Sequence, residues 1–474
     1  MSLYAPQTGG DAELPGYNDT SRSNGRLTEH TVTLEDSKSR TWVWLSVKSR
    51  ANNPGQLPLY FEGDTIGGTV TIDFGLTSSV KIVSLKLFGG VTIVGQEVLP
   101  FLELTKDLWT TTRSSSSLAA SKGKSSWPFS ITLPAEVSVA EKPKEAPKSH
   151  RLPPSFSERA STGYIDYKLI VTVRRGALKV NHTFVSPSSF TCTCRMLMSK
   201  LFESLVTSFV YVPVSRAAPP SPLRQLAYHD GSPIIGADGD PEGWKQLSPV
   251  SITGTLFNTI SVSVGCKVGI TSFCLPGSEN SLRPRDRQKV SVASPLSYAS
   301  GSPIPIFVTL DSTDDQALDI LSTPSAVKFH LFREKLVGSL AIKEDAAARS
   351  NSNNSNKSFR EFVGAATFWP STEGAPEKGK RTLQGELEVR KGTKPSFVFP
   401  RFSLRYVLVL LPFSVPGFIQ EGRQDDTLLT EGITIHAANA PGISPRSYAP
   451  PGYEHTEEGN YNNAIGYLEN GNQR

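Results

Sequence analysis

Pro450-Pro451-Gly452-Tyr453 is the stretch whose residue types and spacing carry a clear chemistry, and that chemistry is recognition. Consecutive prolines pre-set the polyproline II conformation, so little entropy is lost when their flat rings enter an aromatic-lined groove. The tyrosine two places on fills a neighbouring pocket. The pattern Pro-Pro-x-Tyr is a WW-domain ligand, with Pro450 and Pro451 stacking and Tyr453 as the anchor. Leu14-Pro15-Gly16-Tyr17 is a weaker variant, in which Leu14, Pro15 and Tyr17 take the same parts. Two such motifs would engage two WW domains of one partner and multiply weak affinities through effective concentration. A third copy, Leu57-Pro58-Leu59-Tyr60, runs into an apolar strand start and reads as structural, with its tyrosine buried. Pro219-x-x-Pro222-x-Arg224 fits an SH3-ligand pattern, but hinges often contain such prolines.

The sequence carries almost no signature of catalysis. The sequence holds no Gly-x-Ser-x-Gly elbow, no His-Glu-x-x-His pair and no Cys-x-x-Cys pair, and its seven histidines are scattered. Cys192-x-Cys194 puts two thiols on one face of a strand, but only Cys266 and Cys274 remain, both distant, so buried thiols are expected and a zinc site is not. The run from Gly374 to Gly379-Lys380 has phosphate-loop spacing. Arg381 then stands where a Ser or Thr would hold magnesium, and a strand follows where a helix should. The expectation is a chain that is not an enzyme and binds no cofactor or metal. A sandwich hydrolase is the enzymatic competitor, and it lacks a nucleophile–base pair in any familiar context.

The elements that must carry the motif are strands. With 474 residues, the chain is about three times a common domain length of roughly 150, so two or three domains are expected. Its 38 Gly and 35 Pro punctuate short apolar runs, which favours β structure with many turns and excludes a helical bundle. Alternating segments fall at 30–34, 41–48, 69–74, 80–94, 129–133, 164–173, 178–185 and 209–214, then at 250–256, 261–270, 304–310, 327–332, 381–389 and 397–410. Gly89-Gly90 interrupts the fourth of these and marks a bulge or a close backbone approach. Only 312–321 looks helical. Serine-rich 113–126, Lys- and Pro-rich 139–150 and Ser/Asn-rich 345–358 read as solvated inserts. The fold class expected is all-β: a disordered tail over 1–27, a sandwich over 28–214, a Pro-rich hinge over 215–248, a second sandwich over 249–436, and a disordered tail over 437–474 that carries the Pro-Pro-x-Tyr motif.

The net charge of +5, from 49 basic and 44 acidic residues, lacks the concentration a nucleic-acid partner requires. Peripheral contact with an anionic membrane surface is left open, with Lys122, Lys124, Lys142, Lys144 and Lys148 as candidates. Few cysteines and no basic-then-apolar amino terminus point to a reducing cytosol. The longest strongly apolar run, 406–413, is far short of the roughly twenty residues of a spanning helix. Ser444-Pro445, Ser221-Pro222 and the serines at 114–117 are candidate kinase sites.

Several of these segments resemble the arrestin family. Tyr60-Phe61-Glu62-Gly63-Asp64-Thr65-Ile66-Gly67-Gly68-Thr69-Val70 is similar to its amino-domain signature. Phe88-Gly89, Trp127-Pro128-Phe129, Leu152-Pro153-Pro154-Ser155-Phe156 and Ile165-Asp166-Tyr167 follow in the family's order. Leu383-Gln384-Gly385-Glu386-Leu387, Pro395-Ser396-Phe397 and Ser403-Leu404-Arg405-Tyr406 resemble the carboxyl domain of fungal members. Together with the Pro-Pro-x-Tyr motif, the pattern resembles an α-arrestin, one of the arrestin-related trafficking adaptors. The resemblance implies two immunoglobulin-like sandwiches that engage a membrane transporter or receptor as cargo. It also implies a WW-domain HECT-type ubiquitin ligase as partner, ubiquitination and endocytosis of the cargo, and recruitment from the cytoplasm to plasma membrane and endosomes. A scaffold of the same fold that never recruits a ligase is the alternative.

Overall fold

The structure, a computed structural model, describes residues 27–453 apart from 78–79, 112–122, 142–144, 160, 176–201, 238, 259, 272–295, 343–357, 372–377 and 422–426. The described chain divides between Val214 and Ser215 into two compact units. Each is an all-β sandwich.

In the first unit the strands run β1 (Thr28–Glu35), β2 (Thr41–Ser49), β3 (Leu59–Phe61), β4 (Thr65–Asp73), β5 (Val80–Ile93), β6 (Leu99–Thr110), β7 (Lys124–Thr132), β8 (Glu136–Val139), β9 (Lys148–Arg151), β10 (Gly163–Arg175) and β11 (Phe202–Val212). One sheet has the order β1-β2-β4-β7 and the other β3-β11-β10-β5-β6, with β8 and β9 as a separate hairpin. The alternation read from sequence is the pleat itself. Along β10, Ile165, Tyr167, Leu169, Val171 and Val173 all face inward and are buried, while the residues between them are part-exposed. β5 shows the expected interruption: its register against β6 shifts between Gly89 and Gly90, while its pairing with β10 passes that point unbroken. A Cβ on Gly89 would come within 2.7 Å of the Phe101 ring, so the glycine is required by close approach.

The second unit opens with helix α1 (Pro222–Asp230) and a one-turn 3-10 helix at Pro241–Gly243. Strands follow as β12 (Trp244–Gln246), β13 (Val250–Leu256), β14 (Ile260–Thr271), β15 (Leu296–Ala299) and β16 (Pro303–Asp311). After helix α2 (Asp315–Leu321) come β17 (Phe329–Gly338), β18 (Ser358–Ala365), β19 (Thr367–Pro370), β20 (Lys380–Glu388), β21 (Arg401–Leu410), β22 (Phe418–Gln420) and β23 (Leu429–His436). One sheet is ordered β19-β20-β16-β14-β13-β22 with β12 beside β14, and the other β15-β23-β21-β17-β18. β21 is covered on both faces, with Phe402, Leu404, Tyr406, Val407, Leu408 and Val409 at 1% exposure or less. That is the pattern of a central strand. Helix α2 lies where the sequence places one: the Asp314 carboxylate accepts from the Gln316 and Ala317 amides at 2.9 and 3.1 Å, and Ala317, Leu318 and Leu321 are buried.

Two segments differ from the sequence reading. The Pro-rich stretch expected as a hinge is the N terminus of α1: Ser221 is its cap, accepting from the Arg224 amide at 3.3 Å, Pro222 occupies the first turn, and Gly231 ends the helix at φ +73°. Proline's missing N–H and fixed φ cost nothing there. Residues 437–453, expected as part of a disordered tail, pack on the second unit. The expected strand at 178–185, the serine-rich and Ser/Asn-rich inserts (from 123 and 358 onward excepted), and the tails 1–26 and 454–474 lie outside the described residues.

Candidate functional site

Pro450-Pro451-Gly452-Tyr453 closes on itself. The Tyr453 amide donates to the Pro450 carbonyl at 3.0 Å, and Gly452 sits at φ +90°. An i to i+3 bond, proline at the second position and a left-handed glycine at the third define a type II turn. Pro450 and Tyr453 are half-buried, whereas Pro451 and Gly452 are exposed. The Tyr453 ring lies 6.3 Å from that of Trp369 on β19, inclined at 54°. Trp369 itself is buried.

The same turn recurs twice upstream. In Val415-Pro416-Gly417-Phe418 the Phe418 amide donates to Val415 at 3.3 Å with Gly417 at φ +84°. In Ala440-Pro441-Gly442-Ile443 the Ile443 amide donates to Ala440 at 3.1 Å with Gly442 at φ +78°. In each case an apolar fourth residue follows the Pro-Gly corner.

From Ala438 to the last of these turns the chain is fastened at several points. At its start, the Ala217 amide donates to the Ala438 carbonyl at 2.9 Å, and Ser302 Oγ donates to Asn439 Oδ1 at 3.0 Å. Ile443 packs on the buried cluster of Tyr228, Ile234, Trp244 and Phe307. The Tyr448 amide donates to Glu386 Oε2 at 2.9 Å, its hydroxyl donates to the Ala227 carbonyl at 2.8 Å, and its ring is 6.2 Å from that of Tyr228. Burial pushes the Tyr448 phenol above its ordinary pKa, so it stays a donor at neutral pH. A hydrogen bond to a carboxylate contributes about 2 kcal/mol and an aromatic pair about 1 kcal/mol, so Tyr448 is the principal fastening. Beneath residues 437–453 a cavity of about 10 Å³, lined by Tyr228, Tyr298, Asn439 and Ile443 among others, has room for a single water.

The other sequence candidates fare differently. Leu14, Pro15 and Tyr17 lie outside the described residues, as do Cys192, Cys194, Cys274, Lys122, Lys142, Lys144 and the serines at 114–117. Tyr60 of the third motif copy is 2% exposed, its phenol raised by burial and by Asp64, as expected of a structural residue. The SH3-type pattern is ruled out by burial: Arg224 is 2% exposed and held over the Trp244 ring. Ser221 is likewise closed to kinases, fully buried and donating to Asp240 Oδ2 at 2.5 Å, whereas Ser444 is exposed. Of the described lysines, Lys148 pairs with Glu141 at 2.8 Å and Lys124 lies 4.3 Å from the centre of the Trp44 ring. Cys266 is buried, and burial pushes its thiol to about 12. Lys380 opens β20, so a strand does follow the phosphate-loop look-alike.

Sequence reasoning missed Trp369, Tyr448 and Glu386, which hold the motif. The one local signal was the repeated Pro-Gly pair, a turn signature. Among the described residues no group of three or more His, Cys, Asp or Glu could hold a metal ion, and no helix is long and apolar enough to cross a membrane. No protein-family model matches the chain, and no curated protein matches it.

Proposed function

We propose that this chain is a non-catalytic adaptor of the arrestin-related trafficking type. In this reading the two sandwiches engage a membrane transporter or receptor, and the Pro-Pro-x-Tyr motif recruits a WW-domain HECT-type ubiquitin ligase. Tethering a ligase beside a cargo lysine raises its local concentration, so ubiquitin transfer and endocytosis need no catalytic group in this chain. The observation that carries the reading is the Pro450-Pro451-Gly452-Tyr453 motif placed just after the last strand of an all-β, two-sandwich chain, with Pro451 exposed. The cytoplasm, with peripheral recruitment to plasma membrane and endosomes, is the compartment that goes with it.

The test is a titration of WW domains from HECT-type ligases against the full chain and against the Pro451→Ala, Tyr453→Ala double variant, with Tyr17→Ala added in a third. Binding in the tens-of-micromolar range or tighter that is lost in the variants is the expected result. Equal binding by all three chains would end the recruitment reading.

The recurrence of the Pro-Gly turn favours a second reading, in which the tetrapeptide serves only as a structural corner. The chain is then an arrestin-like scaffold that joins cargo to coat or signalling proteins. Ubiquitin conjugates that co-purify with the chain in a motif-dependent way belong to the adaptor alone.

A further inference from the structure

A WW domain reads the Pro-Pro-x-Tyr pattern as an extended polyproline helix, with φ near −75° at each residue. Here the third residue of the pattern stands at φ +90°, and the Tyr453 amide closes back on the Pro450 carbonyl. The side chain a WW domain would anchor rests on Trp369. The motif and a WW groove therefore demand incompatible conformations of the same four residues. Holding the closed form is a strap with three separate fastenings: Ile443 on the Tyr228, Trp244 and Phe307 cluster, Tyr448 on Glu386 and Ala227, and Tyr453 on Trp369.

We infer that residues 437–453 form an autoinhibitory strap, and that the face made by Trp369, Glu386 and Tyr228 is its docking surface. The occupant of that surface is this chain's own segment, seated on it in the structure. The inference rests on the adaptor reading and adds to it a latch: ligase recruitment requires the turn to open and Tyr453 to leave Trp369. Only the open fraction binds, so the affinity of the full chain is that of the free motif multiplied by the open population. Ser444, exposed within the strap, is where a kinase would act to change that population.

Gly452 separates the latch from the ligand. The x position of the pattern accepts any residue, and a Cβ on Gly452 meets nothing within 4 Å, yet its positive φ strains every L side chain. Gly452→Ala therefore keeps the WW ligand and weakens only the turn.

The experiment compares WW-domain affinity of the free peptide 444–459, the full chain carrying Tyr17→Ala so that only this motif is read, and both with Gly452→Ala. The full chain is expected to bind at least tenfold more weakly than the peptide. Gly452→Ala should tighten the full chain about fivefold while changing the peptide less than twofold. Releasing the strap at its middle with Tyr448→Ala should tighten the full chain as well. If peptide and full chain bind equally, the latch is wrong and the adaptor reading stands. If the full chain is weaker but neither variant tightens it, the turn and strap are not the cause and the inference is overturned. If the free peptide binds no WW domain, the adaptor reading fails and the latch fails with it.

Discussion

The guanidinium carbon of Arg224 lies 4.4 Å from the centre of the Trp244 ring, and Nε, Nη1 and Nη2 are all buried with no hydrogen-bond partner among the described residues. Desolvation pulls its pKa below the ordinary arginine value. Orphaned donors cost free energy that an apolar side chain of similar length would not, while the stack on Trp244 stabilises. Arg224→Met is expected to leave the calorimetric melting temperature unchanged or raise it, and Arg224→Ala to lose about 2–3 kcal/mol through the cavity it leaves. Equal losses in both variants would mean that the charge itself is satisfied.

Gly68 faces the sharpest steric test in the first unit. A Cβ there would collide with the Ser46 carbonyl oxygen and stand 2.8 Å from the Phe129 ring, and a backbone oxygen cannot move aside cheaply. Gly68→Ala is expected to cost about 2 kcal/mol or more, whereas Gly67→Ala next door, with nothing within 4 Å, should change stability by about 0.5 kcal/mol or less. Denaturant titrations of the two variants against the unmodified chain decide it. Two equal midpoints would show that β2 and β4 yield.

Acid should loosen the second unit in two stages. Burial, assisted by Lys328, lowers the His330 pKa below 6.5, so the stability of its neutral form is full above that pH and declines as pH falls toward the folded value. Glu361 follows: burial raises its pKa, but Arg333 and Lys335 outweigh that and hold it below 4.5. Its contribution is present above 4.5 and is lost as pH falls through the folded value. Stability measured from pH 7.5 to 3.5 should thus fall with a slope that His330→Phe flattens at the upper end and Glu361→Gln at the lower. A profile unaltered by both substitutions would contradict these assignments.

Cys266 should be chemically silent. Fully buried, with its thiol raised to about 12 by burial and the charge of Asp311, it offers almost no thiolate at pH 8. Brief alkylation of the native chain at that pH should leave Cys266 unlabelled by mass spectrometry, and labelling should appear once denaturant is added. Rapid native labelling would mean that β14 opens locally.

Much of this architecture was legible because a pleated strand writes its burial into alternate residues, as 164–173 does in β10 and 250–256 does in β13. Strands without that contrast were missed. β6 exposes most of its length, including Glu103, Lys106 and Asp107, because it is the edge of its sheet. Nearly all of β18 is half-exposed for the same reason, so no alternation survives in its sequence. Helix α1 was hidden by its own start signal, since prolines that cap a helix look like prolines that break a chain. The Pro-Pro-x-Tyr tetrapeptide was legible as a motif, but its seat was not. Proline, glycine and small residues dominate 437–453, and the anchors Ile443 and Tyr448 are isolated within it, so composition speaks for a tail while contacts with Glu386 and Trp369 from distant strands decide otherwise.

The pairing of β15 with β23 is parallel, Leu296 opposite Ile433 and Ala299 opposite His436, and β23 also lines β21. During synthesis the chain therefore delivers β21, a largely apolar strand that is covered on both faces in the fold, with one edge open until β23 emerges. An open apolar edge is a template for pairing with other nascent chains. The order of elements keeps that interval short, because only β22 intervenes. A chain cut off between β21 and β23 would never close it, and would leave the ribosome as a client for chaperones and proteases.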